Sequence, residues 1–149
     1  LVDIGAGSGS ISIEWMLADP SLHAVAIEAS AERAQRARRN ASACGVPALE
    51  IVEGVAPAAL EGLASPDAIF IGGGLSDAGV ADAAVALLKS GGRLVANAVT
   101  LESEALLLAL HAQNGGDLVR LSIARAEPVG GMSGWRPAMP VTQWSWTKP

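Results

Sequence analysis

The strongest constraint on the fold is the run from Leu1 to Ser10, LVDIGAGSGS, where an apolar segment meets three glycines on alternate positions. The segment that follows, Ile11 to Leu17, is rich in large apolar residues and predicts a helix. Since glycine adopts positive φ without a Cβ clash, the backbone turns sharply between strand and helix. The first amides of the helix then point at whatever lies over the turn. We therefore predict a strand–loop–helix unit that cradles a nucleotide.

The spacing of the glycines indicates which nucleotide. A dinucleotide fingerprint reads G-x-G-x-x-G, and Ser10 stands where that fingerprint has glycine or alanine. The block from Val2 to Gly9 instead resembles the first motif of the class I S-adenosylmethionine-dependent methyltransferases, whose ligand carries no pyrophosphate. By that resemblance the cofactor contacts are Asp3, Gly5, Ala6, Gly7, Ser8 and Gly9. A tight strand-to-helix turn without a ligand is the alternative.

A second acid follows at the end of the next apolar segment, His23 to Glu28. In a doubly wound fold, ligands bind beyond the carboxyl ends of the strands, where an acid accepts hydrogen bonds from ribose hydroxyls. Glu28 is therefore the predicted ribose ligand. The alternative is a solvated glutamate at the end of a strand.

Composition narrows the class of protein further. The length of 149 residues fits one domain, and 50% hydrophobic against 17% charged residues predicts a buried sheet flanked by helices. No apolar run is long enough to span a membrane. The net charge of −5 and the aromatic share of 3% argue against nucleic acid and favour a small-molecule partner. Cys44 is the only cysteine, which fits a reducing, cytoplasmic compartment, and the two histidines lie too far from it to form a metal site.

Alternating strand and helix patterns predict an α/β fold, a doubly wound, mostly parallel Rossmann-like sheet. Ser30 is a predicted cap for a helix from Ala31 to Ala43. The arginines of that helix are expected to form a solvated basic face: Arg33, Arg36, Arg38 and Arg39. Further strands are predicted at 49–53, 67–71 and 94–98, and helices at about 57–63, 77–88 and 102–113. The strands predicted at 118–126 and 141–147 should pair antiparallel, because the Gly- and Pro-rich insertion between them leaves no room for a crossover helix.

Several motifs together resemble one methyltransferase family. They are Asp3–Trp15, Glu53–Pro57, Ile71–Gly74, Asn97–Glu102 and Ile123–Pro128. The family is the decarboxylating precorrin-6Y, or cobalt-precorrin, C15-methyltransferases of cobalamin biosynthesis. The stretches Gly134–Pro137 and Pro140–Trp144 resemble the C-terminal domain of the fused C5,15 enzyme.

This resemblance implies an enzyme that uses S-adenosylmethionine to methylate a meso carbon of a tetrapyrrole while a ring acetate loses carbon dioxide. Ala56 would bind the adenine, with Gly54 and Val55 beside it and Gly72 at the end of the fourth strand. Many members carry aspartate where this chain has Val55, so backbone contacts would hold the adenine here.

Candidate catalytic and substrate residues lie further along the chain. Thr100 and Glu102 follow the fifth strand at the same sheet edge and could manage protons near the ring. Their alternative role is a helix N-cap with an acidic first turn. Arg125 and Arg136 flank the insertion and could grip substrate carboxylates, or they could simply face solvent.

The resemblance also implies partners. Members form tetramers, so Met132, Trp135 and Met139 are expected to pack on the macrocycle or in a subunit interface. A tetrapyrrole C5-methylase domain, fused or separate, is a second expected partner. Because the sequence begins inside its first strand, we expect residues 1–149 to be an N-terminally truncated methyltransferase domain that lacks an upstream lid.

Three other functions stay open at this point. The first is a class I methyltransferase that acts on a different small molecule. A nicotinamide-dependent oxidoreductase is disfavoured by Ser10 and by the missing third spaced glycine. The last is a non-catalytic nucleotide-binding module.

Overall fold

The computed structural model describes all 149 residues and contains a seven-stranded, mostly parallel sheet. Its strands are β1 (Val2–Ile4), β2 (Val25–Glu28), β3 (Glu50–Glu53), β4 (Ala68–Ile71), β5 (Arg93–Ala98), β6 (Asp117–Leu121) and β9 (Val141–Thr147). They lie in the order β3-β2-β1-β4-β5-β9-β6, and β1 to β5 run parallel. β9 runs antiparallel to both of its neighbours. The predicted fold class is confirmed, and the order reverses beside β1, which is where such sheets bind ligands.

Helices cover both faces of this sheet: α1 (Ser10–Ala18), α2 (Ala31–Ala43), α3 (Val80–Leu87) and α4 (Leu101–Asn114). Side chains alternate along a strand, so β1 sends Val2 and Ile4 into one core while Asp3 points to the opposite side. The larger core joins β1 to α3 and α4, and the smaller one joins β2 to α1 and α2. No helix is long and apolar enough to cross a membrane.

Two stacked tryptophans secure the antiparallel part of the sheet. Trp144 is fully buried, and its ring lies 5.8 Å from that of Trp146 at an interplanar angle of 13°. The indole N–H of Trp144 donates to the Gly115 carbonyl at 2.8 Å, which satisfies the polar atom that burial would otherwise isolate. Because side chains alternate along β9, Trp144 and Trp146 lie on the same side of the strand, and the Trp144 hydrogen bond ties β9 to the C-terminal end of α4.

The predicted single strand over Leu118–Ala126 is wrong. The chain leaves the large sheet after Leu121, and Ala124–Val129 forms a new strand, β7, that pairs with β8 (Met132–Pro137). Gly130, at φ +60°, begins the two-residue turn between them, as a tight hairpin requires. The Gly- and Pro-rich insertion is therefore largely a separate two-stranded hairpin.

Two helix predictions are also shorter in the structure. The segment expected to be helical up to Leu63 contains a single 3₁₀ turn, Ala58–Leu60. The helix expected from Asp77 begins at Val80, after the left-handed Gly79. Gly79, at φ +80°, keeps the chain in a turn up to the start of α3.

Candidate functional site

The three loop glycines have positive φ angles of 71°, 59° and 79°, but their surroundings differ. A Cβ on Gly5 would lie 2.6 Å from the Gly73 nitrogen, and one on Gly9 would lie 3.1 Å from the Ala37 Cβ. A Cβ on Gly7 would meet nothing within 4 Å. Packing against the Gly73 main chain therefore requires glycine at position 5, and Gly9 packs tightly against α2, whereas Gly7 is the loop glycine whose open side a ligand can approach.

Asp3 supports this loop on the α1 side of the sheet. Its carboxylate is 1% exposed and accepts a 2.8 Å hydrogen bond from the Ser12 hydroxyl through Oδ2, while Oδ1 has no partner. Burial raises the pKa of Asp3, and the Ser12 hydrogen bonds oppose that rise. Asp3 does not line the adjacent cavity, so its visible contact ties β1 to α1.

Glu28 lies at the end of β2 and is bonded on both of its carboxylate oxygens. Oε2 accepts the Gly7 amide at 2.8 Å, and Oε1 accepts the Ser30 amide at 2.8 Å. The Arg33 Nε lies 3.0 Å from the same Oε1. The side chain is only 3% exposed, so it is held in one orientation at the boundary of the loop and the next helix.

A cavity of about 320 Å³ opens beside Glu28, at the carboxyl ends of the first four strands. Its lining residues are Gly5, Ile27, Glu28, Ala29, Arg33, Gly54, Val55, Ala56, Gly72, Gly73, Gly74 and Asp77. The size is at the lower end of the range for small-molecule sites, about 300–1,000 Å³. Six predicted cofactor residues are in this lining, and Ala6, Gly7, Ser8 and Gly9 belong to the adjoining loop without lining it.

Two charged lining residues, Arg33 and Asp77, were not predicted as site residues from the sequence. Arg33 was expected in a solvated basic face; it is exposed as expected, but it also pairs with Glu28 and lines the cavity. The signal was its position three residues after the Ser30 cap, from which a side chain can reach back towards the strand end. Asp77 follows the glycines after β4 and is exposed within the same lining.

The predicted catalytic pair lies outside this lining. Thr100 caps α4, and its hydroxyl accepts the Ser103 amide at 3.3 Å. Glu102 is exposed in the first turn. Both positions fit the capping role, and the proton-handling role stays a prediction.

The two predicted substrate arginines face each other across the hairpin. Arg125 on β7 and Arg136 on β8 are partners in register. Arg136 forms an ion pair with Glu127 at 3.0 Å, and both arginines are exposed. The structure therefore brings together two cations that are eleven positions apart in the sequence, and their contact with a substrate stays a prediction.

A further polar network lies at the carboxyl end of β5, where Thr142 is the register partner of Ala98. Glu104 accepts the Thr142 hydroxyl at 2.8 Å and also pairs with Arg120. These two contacts, the threonine hydrogen bond first, hold the pKa of Glu104 below its usual range. The network joins α4 to β6 and β9 next to Thr100, and no local sequence pattern indicates it.

Known proteins share both this sequence and this architecture. The family model described as a precorrin methyltransferase domain matches residues 1–148. The chain is 68% identical over 148 residues to the precorrin-6Y C(5,15)-methyltransferase (decarboxylating) of a Sinorhizobium species, a match that covers 99% of this chain and 36% of that protein. The chain thus spans little more than a third of the length of this relative.

Shorter relatives match as well. The chain is 38% identical over 147 residues to the cobalt-precorrin-6B C(15)-methyltransferase (decarboxylating) of Salmonella typhimurium, which covers 95% of this chain and 74% of that protein. The solved C-terminal domain of the precorrin-6Y C5,15-methyltransferase from Rhodobacter capsulatus superposes with a TM-score of 0.91 at 48% identity, over 99% of this chain and 79% of that one. These matches confirm the resemblance that the motifs indicated.

Proposed function

The chain belongs to the precorrin methyltransferase family, and from that premise we propose that it is a decarboxylating C-methyltransferase. The proposed reaction transfers a methyl group from S-adenosylmethionine to the C15 meso carbon of a precorrin or cobalt-precorrin. A ring acetate of the same substrate loses carbon dioxide. The observation that carries this proposal is the cavity beside Gly7 and Glu28 in a chain whose relatives are named for this reaction.

The residues present fit S-adenosylmethionine. Glu28 supplies a buried carboxylate for the ribose, and Val55 and Ala56 supply the wall for the adenine. The open side of Gly7 and the amino end of α1 suit the methionine portion, because unpaired helix amides attract a carboxylate. When bound, this cofactor supplies a methyl group activated by a sulfonium.

The protein then has mainly to position the reacting carbon. The glycines after β4 leave the main chain bare at the edge of the cavity, so a flat substrate can approach closely. Orientation of this kind lowers the barrier because the translational and rotational entropy is lost on binding rather than in the reaction. Thr100 and Glu102 are the proposed proton-handling residues, and Arg125 and Arg136 the proposed carboxylate-binding ones.

We propose partners from the length of the relatives and the exposed surface of the hairpin. The chain would act as the C-terminal domain of a longer cytoplasmic protein that also carries a tetrapyrrole C5-methylase domain. Met132 and Trp135 on β8 are 81% and 76% exposed, and Met139 is 67% exposed. Large apolar side chains of this kind favour a subunit interface, which supports a homo-oligomer.

The test combines methyl-labelled S-adenosylmethionine with a precorrin-6-type substrate and follows the product by mass spectrometry. We expect a gain of one labelled methyl and a loss of one carbon dioxide per substrate. A methyl gain without the loss of carbon dioxide would contradict the decarboxylating reaction. Binding of NADH in place of S-adenosylhomocysteine would contradict methyl transfer altogether.

Variants of the proposed proton-handling residue refine the same assay. Glu102→Gln should slow the reaction while the affinity for S-adenosylhomocysteine stays unchanged. Glu61→Gln is the matched control, because Glu61 is exposed and lies outside the cavity lining. Equal rates in both variants would leave Glu102 only its place in the acidic first turn of α4.

A further inference from the structure

We propose that Arg33 is a positioning residue for cofactor selectivity, acting through Glu28 on recognition of the ribose hydroxyls. This inference rests on the proposed use of S-adenosylmethionine. Arg33 is the only cation in the cavity lining, and its Nε lies 3.0 Å from Glu28 Oε1. The ion pair fixes which part of the carboxylate remains free to accept a hydrogen bond from a ligand.

The count of acceptor positions explains why the pair matters. An ionised carboxylate offers about four lone-pair positions, two on each oxygen. Oε1 is committed to the Ser30 amide and the Arg33 guanidinium, and Oε2 is committed once, to the Gly7 amide. One position on Oε2 is therefore left for a ribose hydroxyl. Arg33 joins the Ser30 amide on Oε1, and together with the Gly7 amide on Oε2 these donors keep the carboxylate from rotating, so that the free position keeps one direction.

The charge around Glu28 gives Arg33 a second effect. Glu28 is 3% exposed, and Asp77 adds another carboxylate to the cavity lining. Glu53 on β3 is the register partner of Glu28 and is already paired with Arg38. Arg33 is the cation in the cavity lining that offsets these carboxylates. Without Arg33, Glu28 would retain only its two amide contacts, and its free acceptor position would be held less firmly.

Alternatively, Arg33 could be an ordinary surface ion-pair residue. Its side chain is 56% exposed, and exposed ion pairs contribute little to stability. Stability therefore does not separate the two roles, whereas selectivity among ligands does. Arg36 provides a matched control, because it lies on the same helix, is 52% exposed and pairs with Glu32 at the same 3.0 Å.

The experiment is calorimetric titration of the full chain with S-adenosylhomocysteine and with its 2′-deoxy and 3′-deoxy analogues. We expect Arg33→Met to weaken S-adenosylhomocysteine about tenfold, the range of a charge-assisted contact, and Arg36→Met to change it less than about twofold. For the analogue that lacks the hydroxyl bound by Glu28, Arg33→Met should no longer lower the binding affinity. Arg33→Lys should restore part of the affinity, because it returns the charge without the guanidinium.

The double variant completes the design. In a Glu28→Gln background, Arg33→Met should weaken binding no further, because the residue acts through that carboxylate. Unchanged affinity in Arg33→Met, or an equal loss for all three ligands, would overturn the inference. Failure of the unmodified chain to bind S-adenosylhomocysteine would instead refute the proposed function.

Discussion

Replacement of Ser12 by alanine tests the support under the glycine loop. The Ser12 side chain is fully buried, and its hydroxyl is the one side-chain donor to the Asp3 carboxylate, at 2.8 Å. Asp3 is 1% exposed, and its second oxygen has no partner. Ser12→Ala therefore leaves a buried carboxylate without its hydroxyl donor while hardly changing the volume of the core.

The expected loss follows from the charge on the acceptor. Hydrogen bonds to charged groups contribute about 1.5–3 kcal/mol, and a buried group left unsatisfied loses the upper part of that range. We expect Ser12→Ala to lower the free energy of unfolding by about 2–3 kcal/mol. For a domain of this size that corresponds to a fall of roughly 5–10 °C in the melting temperature.

The pH dependence gives the stronger test. Burial raises the pKa of Asp3 above 3.8 in the folded state, so its ionised form destabilises the fold at neutral pH. That cost disappears as the pH falls through the folded pKa, because the carboxyl then becomes neutral. Loss of the Ser12 donor raises the folded pKa further. The deficit of Ser12→Ala should therefore be largest at neutral pH and shrink in mild acid.

Urea unfolding at neutral pH and in mild acid measures this deficit. We expect the slope of the unfolding free energy against urea concentration to stay unchanged. Ser10→Ala is the control, since Ser10 lies on the same helix, is exposed and makes no side-chain hydrogen bond within the chain. A deficit below about 0.5 kcal/mol, the usual range for a surface change, would refute the reasoning. So would a deficit of the same size at both pH values.

Four other predictions concern the loop, the sheet edge and the C-terminal end of α3. Gly5→Ala should cost at least about 3 kcal/mol, because left-handed strain adds to overlap with the main chain after β4. Gly7→Ala should cost only about 1–2 kcal/mol of strain and should abolish S-adenosylhomocysteine binding; equal unfolding energies for the two variants would contradict this. Glu104→Gln should make the stability depend less on pH when acid unfolding is followed by circular dichroism. The Thr142 hydrogen bond lowers the pKa of Glu104 below 4.5, so the stability that this carboxylate adds above pH 4.5 is lost as the pH falls. Lys148→Met should lower the melting temperature by several degrees, about 1–3 kcal/mol, because its ammonium donates to three carbonyls at the end of α3; an unchanged midpoint would contradict the capping role.

Elements that depend on neighbouring residues were predictable. The helix Ala31–Ala43 and the strand Val141–Thr147 have the predicted bounds, since a cap residue and a two-residue alternation are written locally. The strand predicted for Leu118–Ala126 was wrong because Leu118 pairs with β9 whereas Ala126 pairs with β8. A change of pairing partner depends on residues distant in the chain, so no local pattern marks it.

The sequence by itself determined the glycine loop, the acid at the end of β2 and the edge of the sheet where they meet. These follow from chain direction and from the backbone freedom of glycine. The tertiary structure alone decided that Gly7 is open while Gly5 and Gly9 are closed off by Gly73 and Ala37. The physical reason is that the space beside a residue depends on contacts between segments far apart in the chain, whereas turn conformation and chain direction depend mainly on residues close together.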